Sequence, residues 1–246
     1  MGQPDAAPIL LARGIGKRFG ALAVLEGVDF AMRADEAVGI VGPNGAGKTT
    51  FLAVLSGAHA PSAGSIHFRG ADVGGLAAAE RCRRGIVRTH QIPRPFGAMT
   101  VFENALLAAT QGGGFAGGEA YDRTLDALRL CGMLPLANRR AETLGLLDRK
   151  RLELARALAT APALLLLDEI GGGLTDAEAG ELVTTIRELR GRGIALIWIE
   201  HIVHVLLQVA GRLICMDAGR IIADGAPDAV MADRQVIEAY LGGSAA

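Results

Sequence analysis

The stretch GPNGAGKTT, Gly42 to Thr50, sets a lysine and two threonines behind a run of glycines and small residues. Glycines so spaced let successive backbone N–H groups curl around an anion, and a helix opening behind them adds the positive end of its dipole. The apolar AVGIV lies in front and a helical pattern follows, the context in which G-x-x-x-x-G-K-[ST] forms a nucleotide phosphate loop. In that reading Gly42, Asn44, Gly45, Ala46 and Gly47 form the cradle and Lys48 reaches the β- and γ-phosphates. Thr49 gives its hydroxyl to Mg²⁺, and Thr50 contacts the α-phosphate. A tight turn without a ligand would need neither the lysine nor the threonines.

Two carboxylates, Asp168 and Glu169, end the aliphatic run ALLLLDE. They are expected at the carboxyl edge of a sheet, where open α/β folds hold their ligands. Asp168 is assigned to Mg²⁺, commonly through water, and Glu169 to polarising the attacking water as a general base. Carboxylates after a strand are common, so this assignment draws its force from the phosphate loop upstream.

Holding these groups together requires alternating strands and helices. PILLARGIGKRFG, VLEGVDFAM and EAVGIVG read as strands, KTTFLAVLSG as a helix stopped by Gly57, and GSIHFRG and GIVRTH as strands again. Pro93, Pro95 and Gly97 mark a break, after which TVFENALLAAT, EAYDRTLDALRLCGM and DRKRLELARALAT read as helices. Strand-like ALLLLDE, helix-like TDAEAGELVTTIRELRGRG, strand-like IALIWIEH and helix-like IVHVLLQVA follow, and RLICMDAGRIIADG reads as a hairpin around Ala218-Gly219. Aliphatic runs without a period of two fit strands buried on both faces. The expected fold is α/β: a P-loop NTPase core with a parallel sheet, an N-terminal antiparallel β portion and an inserted α-helical subdomain. Residues 1–92 are expected to form the first part of the ATP-binding core, 93–160 the helical subdomain, and 161–246 the second part.

Half of the residues are apolar, enough for a substantial interior. The 25 basic and 26 acidic residues leave a formal charge of -1, so no global field recruits nucleic acid or an anionic membrane, and no nucleic-acid partner is expected. No apolar run approaches the roughly 18 residues of a membrane span. The opening residues lack the basic head and apolar block of a signal peptide, which gives the expectation of a cytoplasmic chain. Cys82, Cys131 and Cys215 are scattered and read as buried reduced thiols.

The order of these motifs resembles the ATP-binding subunit of ABC transporters over essentially the whole chain. The resemblance implies ATP hydrolysis coupled to transport, with ATP and Mg²⁺ as ligands. It implies transmembrane permease subunits and a second ATP-binding subunit as partners, a periplasmic binding protein acting indirectly, and a peripheral place on the inner face of the plasma membrane. It carries Phe19 in GKRFG onto an aromatic that stacks on adenine, a core Phe near a strand end being the other reading. Gln91 matches the glutamine loop that links the Mg²⁺ site to the helical subdomain and the membrane subunit, and His201 matches a switch histidine that contacts the γ-phosphate. His204 reads as a helix-surface histidine rather than a metal partner of His201. IGGGLTD looks like the family's D-loop, with Ile170 where Pro is usual and Thr175 where Asp is usual. The stretch RTHQIPRPFGAMTVFENALLAA, the Glu200-His201 pair and the ending APDAVMADRQVIEAYLG are most similar to subunits for high-affinity branched-chain amino-acid import. Urea or amide import and lipopolysaccharide export are related readings. A regulatory ATP-binding module with weak turnover and a soluble ATPase of this type acting on DNA or ribosomes are alternatives from other classes.

Where the family carries L-S-G-G-Q, this chain has Leu144-Gly145-Leu146-Leu147-Asp148. In the family that segment begins a helix and reaches across a head-to-tail dimer to the γ-phosphate held by the other subunit. Replacing Ser by Gly145 forfeits a hydrogen bond to a charged group, worth about 1.5 to 3 kcal/mol. Leu147 opposes the close backbone approach that Gly permits, and Asp148 suits the helix as a cap but offsets its attraction for phosphate. Arg149, Lys150 and Arg151 read as a solvated helix face, with partial compensation of the acid as the competing reading. A loss of about 2 to 4 kcal/mol in the transition state slows the site about 30- to 1000-fold. Pairing with a different ATP-binding subunit that has an intact segment is therefore expected over a homodimer.

Overall fold

The computed structural model describes residues 7–242; the outer ends of the first and last expected segments, 1–6 and 243–246, lie outside the described residues. Strands β1 (Leu10–Phe19) and β2 (Leu22–Met32) form an antiparallel hairpin with Leu10 opposite Met32 and Phe19 opposite Leu22. Strand β3 (Ala37–Val41) leads through the glycine-rich loop into α1 (Lys48–Leu55). Strands β4 (Ala63–Phe68) and β5 (Ala71–Asp72) return to the hairpin, giving a four-stranded antiparallel sheet in the order β2-β1-β4-β5. Helix α2 (Ala78–Arg83) and strand β6 (Ile86–Arg88) follow.

The helical block comprises α3 (Val101–Leu107), α4 (Gly117–Leu130) and α5 (Leu146–Ala159). Strand β7 (Leu164–Asp168), helix α6 (Asp176–Gly191), strand β8 (Ala195–Ile199), helix α7 (Val203–Leu206), strands β9 (Arg212–Asp217) and β10 (Arg220–Gly225), and helices α8 (Pro227–Met231) and α9 (Arg234–Gly242) complete the chain. The main sheet runs β10-β9-β3-β8-β7-β6, parallel except for β10.

The aliphatic runs lack a period of two because both faces of this sheet are covered. Leu164 and Leu166 enter the core around α1 and the antiparallel sheet, while Leu165 and Leu167 enter the core under α3 to α6. The neighbouring strand divides likewise, with Ile197 and Ile199 on the first side and Leu196 and Trp198 on the second. Fully burying each such aliphatic side chain contributes roughly 1.5 to 3 kcal/mol. Parallel register then sets the carboxyl ends of β3, β6, β7 and β8 on one edge, with Asp168 beside Ile199 and Ile40 beside Ile199 on the other flank.

Several local expectations change. The helix read from TVFENALLAAT ends at Leu107 and continues as a π-helical stretch, Ala108–Gly112. The helix in IVHVLLQVA shrinks to Val203–Leu206. Asp148 does not cap α5: Gly145 is the cap residue, without a side-chain bond, and Asp148 lies in the first turn. Thr175 has a structural use, since its hydroxyl accepts from the Glu178 N–H while Glu178 accepts from the Thr175 N–H, a reciprocal cap on α6. The expected hairpin forms, with Ala218 and Gly219 both at positive φ, 44° and 79°, as a twist-matched two-residue turn demands.

Candidate functional site

The loop after β3 surrounds a cavity of ≈ 350 Å³ lined by Asn44 to Thr50, with Leu22 and Val24 on one side and Glu169 on the other. Gly42 has φ 142°, and a Cβ on it would fall 2.0 Å from the Met216 carbonyl oxygen, so no other residue fits. Lys48 is buried and its ammonium donates to the carbonyls of Gly42 at 2.7 Å and Pro43 at 2.8 Å. Burial lowers its pKa, against the opposing pull of Glu169, Cys215 and Asp168. A phosphate chain in this cavity meets a row of backbone N–H groups, the dipole of α1 and this cation.

Across the cavity, Thr49 Oγ1 donates to Asp168 Oδ1 at 3.3 Å. Asp168 is 1% exposed, and its other oxygen accepts from Arg88 Nη2 at 2.6 Å. One side chain thus neutralises a buried carboxylate and leaves the oxygen facing Thr49 open to a hydrated cation. A hydroxyl and one carboxylate beside a phosphate cavity suit Mg²⁺, which keeps several waters and takes its remaining oxygens from phosphate. No group of three or more His, Cys, Asp or Glu that could hold a metal ion gathers among the described residues.

Glu169 is where the remaining candidates meet. Gln91 Nε2 donates to its Oε2, and His201 Nε2 lies 2.8 Å from its Oε1. Its backbone adopts φ 48°, in the left-handed region, and is held by an N–H bond to the Ile199 carbonyl at 2.9 Å. Such a conformation costs about 1 to 3 kcal/mol and persists where its surroundings fix it. His204 stands exposed on α7. Phe19 is exposed, edge-on to His59 with ring centroids 5.2 Å apart and Lys17 over its face; Leu22 and Val24, not Phe19, line the cavity.

Sequence reading missed two supports. Glu200, buried beside His201, accepts from the Gly171 N–H at 2.6 Å and from the Trp198 indole at 3.3 Å. Burial raises its pKa, against those bonds, the His201 amide and Lys150. Lys150 is 3% exposed and feels Glu200 and Glu169, which corrects its placement on a solvated face. Only Arg149 fits that description fully, for Arg151 pairs with Glu181 and lies 3.6 Å from Asp148. Residue types alone gave no signal that Glu200 and Lys150 would be buried; Glu200 entered the sequence reading only as half of a family-like Glu-His pair.

At the tip of α5, Gly145 is exposed with φ −69° and ψ 176°, and Leu146 is 47% exposed while touching the position of Gly173. Leu144 is buried and anchors the segment. The helix end therefore presents backbone N–H groups framed by apolar side chains, and offers no hydroxyl.

The ABC transporter family matches residues 25–171, and the branched-chain amino acid ATP-binding cassette transporter family matches residues 220–246. The chain is 38% identical over 250 residues to the high-affinity branched-chain amino acid transport ATP-binding protein LivG of Salmonella typhimurium, covering 96% of this chain and 98% of that protein. It is 34% identical to the corresponding BraF of Pseudomonas aeruginosa, with the same coverage, and 32% identical to the lipopolysaccharide export ATP-binding protein LptB of Haemophilus influenzae, covering 95% and 97%. A crystal structure of the ADP conformation of an ATP-binding cassette from an ABC transporter superposes with a TM-score of 0.87 at 30% identity, covering 96% of this chain and all of that one.

Proposed function

Since the chain belongs to the ABC transporter family of ATP-binding subunits, an ATPase family, we propose that it energises the import of branched-chain amino acids from the inner face of the plasma membrane. The observation that carries the site assignment is the convergence of Gln91 and His201 on the two oxygens of Glu169, across the phosphate cavity from Lys48 and the Thr49–Asp168 pair. The loop amides and Lys48 bind the phosphates, and Lys48 exchanges the Gly42 and Pro43 carbonyls for phosphate oxygens. Thr49, Asp168 and Gln91 would hold Mg²⁺, which supplies charge neutralisation at the phosphates when bound. Glu169 accepts a proton from the attacking water once the nucleotide draws Gln91 and His201 off its oxygens, and His201 Nε2 turns toward the γ-phosphate.

In this reading the solute path belongs to permease partners; no helix among the described residues is long and apolar enough to cross a membrane. Their seat on this chain is the groove beside the Gln91 segment, ≈ 450 Å³, bordered by His90, Phe96, Gln111, Glu153 and Arg156. The hydroxyl-free tip of α5 favours a second, different ATP-binding subunit over a homodimer. Phosphate loop, Glu169 and His201 would then work against the partner's intact segment, and the reciprocal site would be impaired.

Reconstitution with two permeases, a binding protein and a second ATP-binding subunit tests the reading. Mg·ATP-dependent leucine uptake, fast hydrolysis only in the mixed assembly, and slow hydrolysis by this chain alone are expected. Fast hydrolysis by the chain alone would remove the need for a partner, and uptake of urea but not leucine would reassign the solute.

A further inference from the structure

The loop that grips phosphate is itself gripped from the far end of the chain. The Gly42 N–H donates to the Tyr240 hydroxyl at 2.8 Å, and the Gly219 N–H donates to the Ala46 carbonyl at 3.1 Å. Tyr240 sits on α9, whose Val236, one turn earlier, is buried in the core under the sheet. Gly42 is thus pressed between the Met216 carbonyl on one side and Tyr240 on the other, and its own carbonyl holds Lys48. The Gly42 amide lies where strand β3 has ended and α1 has not begun, so neither element satisfies it. Burial raises the pKa of the Tyr240 hydroxyl, against the bond from the Gly42 amide.

We propose that Tyr240 is a positioning residue for nucleotide binding: its hydroxyl fixes the peptide at Gly42, and so prearranges the first turn of the loop and the resting place of Lys48. The physical reason is preorganisation. A loop already held in its binding shape loses less freedom when phosphate arrives, and the difference appears as affinity rather than as chemistry. Tyr240 lies within the C-terminal segment, 220–246, matched by the branched-chain transporter family, which gives that segment a role at the phosphate end of the site.

Tyr240→Phe removes one oxygen and leaves the ring. The expected result is an about 3- to 10-fold rise in Kd for Mg·ADP and Mg·ATP alike, the range of one neutral hydrogen bond. At saturating Mg·ATP, kcat should change by less than about 2-fold, because the lost contact serves ground and transition states equally. Hydrogen exchange of the Gly42 amide in the full chain should accelerate in Tyr240→Phe. A variant with a lowered Tm but unchanged Mg·ADP affinity and unchanged Gly42 exchange would reduce Tyr240 to packing and overturn the proposal. The inference rests on Lys48 being the phosphate ligand, and Lys48→Ala separates the two. Intact affinity in Lys48→Ala defeats the site assignment, whereas lost affinity there with intact affinity in Tyr240→Phe defeats only the role of Tyr240.

Discussion

Gly145→Ser restores the one hydroxyl that the tip of α5 lacks. The structure gives it room, since no heavy atom lies within 4 Å of a Cβ built at Gly145, and its φ and ψ of −69° and 176° suit serine. As a helix cap, serine differs from glycine by only a few tenths of a kcal/mol, so stability should barely move. Function should move much more. A hydroxyl bonded to a charged phosphate oxygen contributes about 1.5 to 3 kcal/mol, and if this is realised in the transition state, hydrolysis rises by about 10- to 150-fold. The assay is phosphate release by the purified chain without a partner subunit, compared with Gly145→Ala, which stiffens the same backbone position without adding an oxygen. Leu147→Gly in the same chain removes the remaining steric obstacle and should add to the gain. If Gly145→Ser and Gly145→Ala both turn over like the unaltered chain, the missing hydroxyl does not limit hydrolysis, and the argument for an unlike partner loses its basis.

Glu169→Gln should retain Mg·ATP binding while turnover in the mixed assembly falls by about 10²- to 10⁴-fold, measured by single-turnover hydrolysis; unaltered turnover removes Glu169 from general-base duty. Arg88→Met leaves the buried carboxylate of Asp168 without its 2.6 Å partner and should cost about 3 to 5 kcal/mol in urea unfolding, and a shift under 1 kcal/mol would mean that Asp168 is compensated by other groups. Burial raises the folded pKa of Glu200 above its unfolded value, near about 4.3. Stability should therefore be lost as pH climbs from that value through the folded pKa, and Glu200→Gln should flatten this part of the curve. Identical pH–stability profiles for the two chains would contradict the assignment.

The phosphate loop was legible because its requirements are local: glycine backbone, a lysine and a hydroxyl within nine consecutive residues, Gly42 to Thr50. The strand ending in Asp168 and Glu169 was equally legible, because burial on both faces leaves an unbroken aliphatic run. Arg88, Glu200 and Lys150 were not. Their partners are set by the order β8-β7-β6 and by the packing of α5, which join residues 29 to 80 positions apart, and no local pattern marks a charge that will be buried against another. Arg81 illustrates the same blindness. Nothing in AAERCRRG sets it apart from its charged neighbours, yet it is fully buried, closing the end of α1 through the Val54 and Leu55 carbonyls. Tyr240 was quoted within a family-like ending, but its bond to Gly42 spans 198 residues.

The glutamate next to His201 reaches over to the Gly171 amide, and Leu146 leans on Gly173 two positions further along that same turn. In the two-chain assembly proposed above, this would give this chain a short internal lever. In that reading, a displacement at the tip of α5 would reach, two contacts away, the peptide whose carbonyl holds the Glu169 amide. Coupling between this chain's site and the partner's segment would then need no long relay through the sheet.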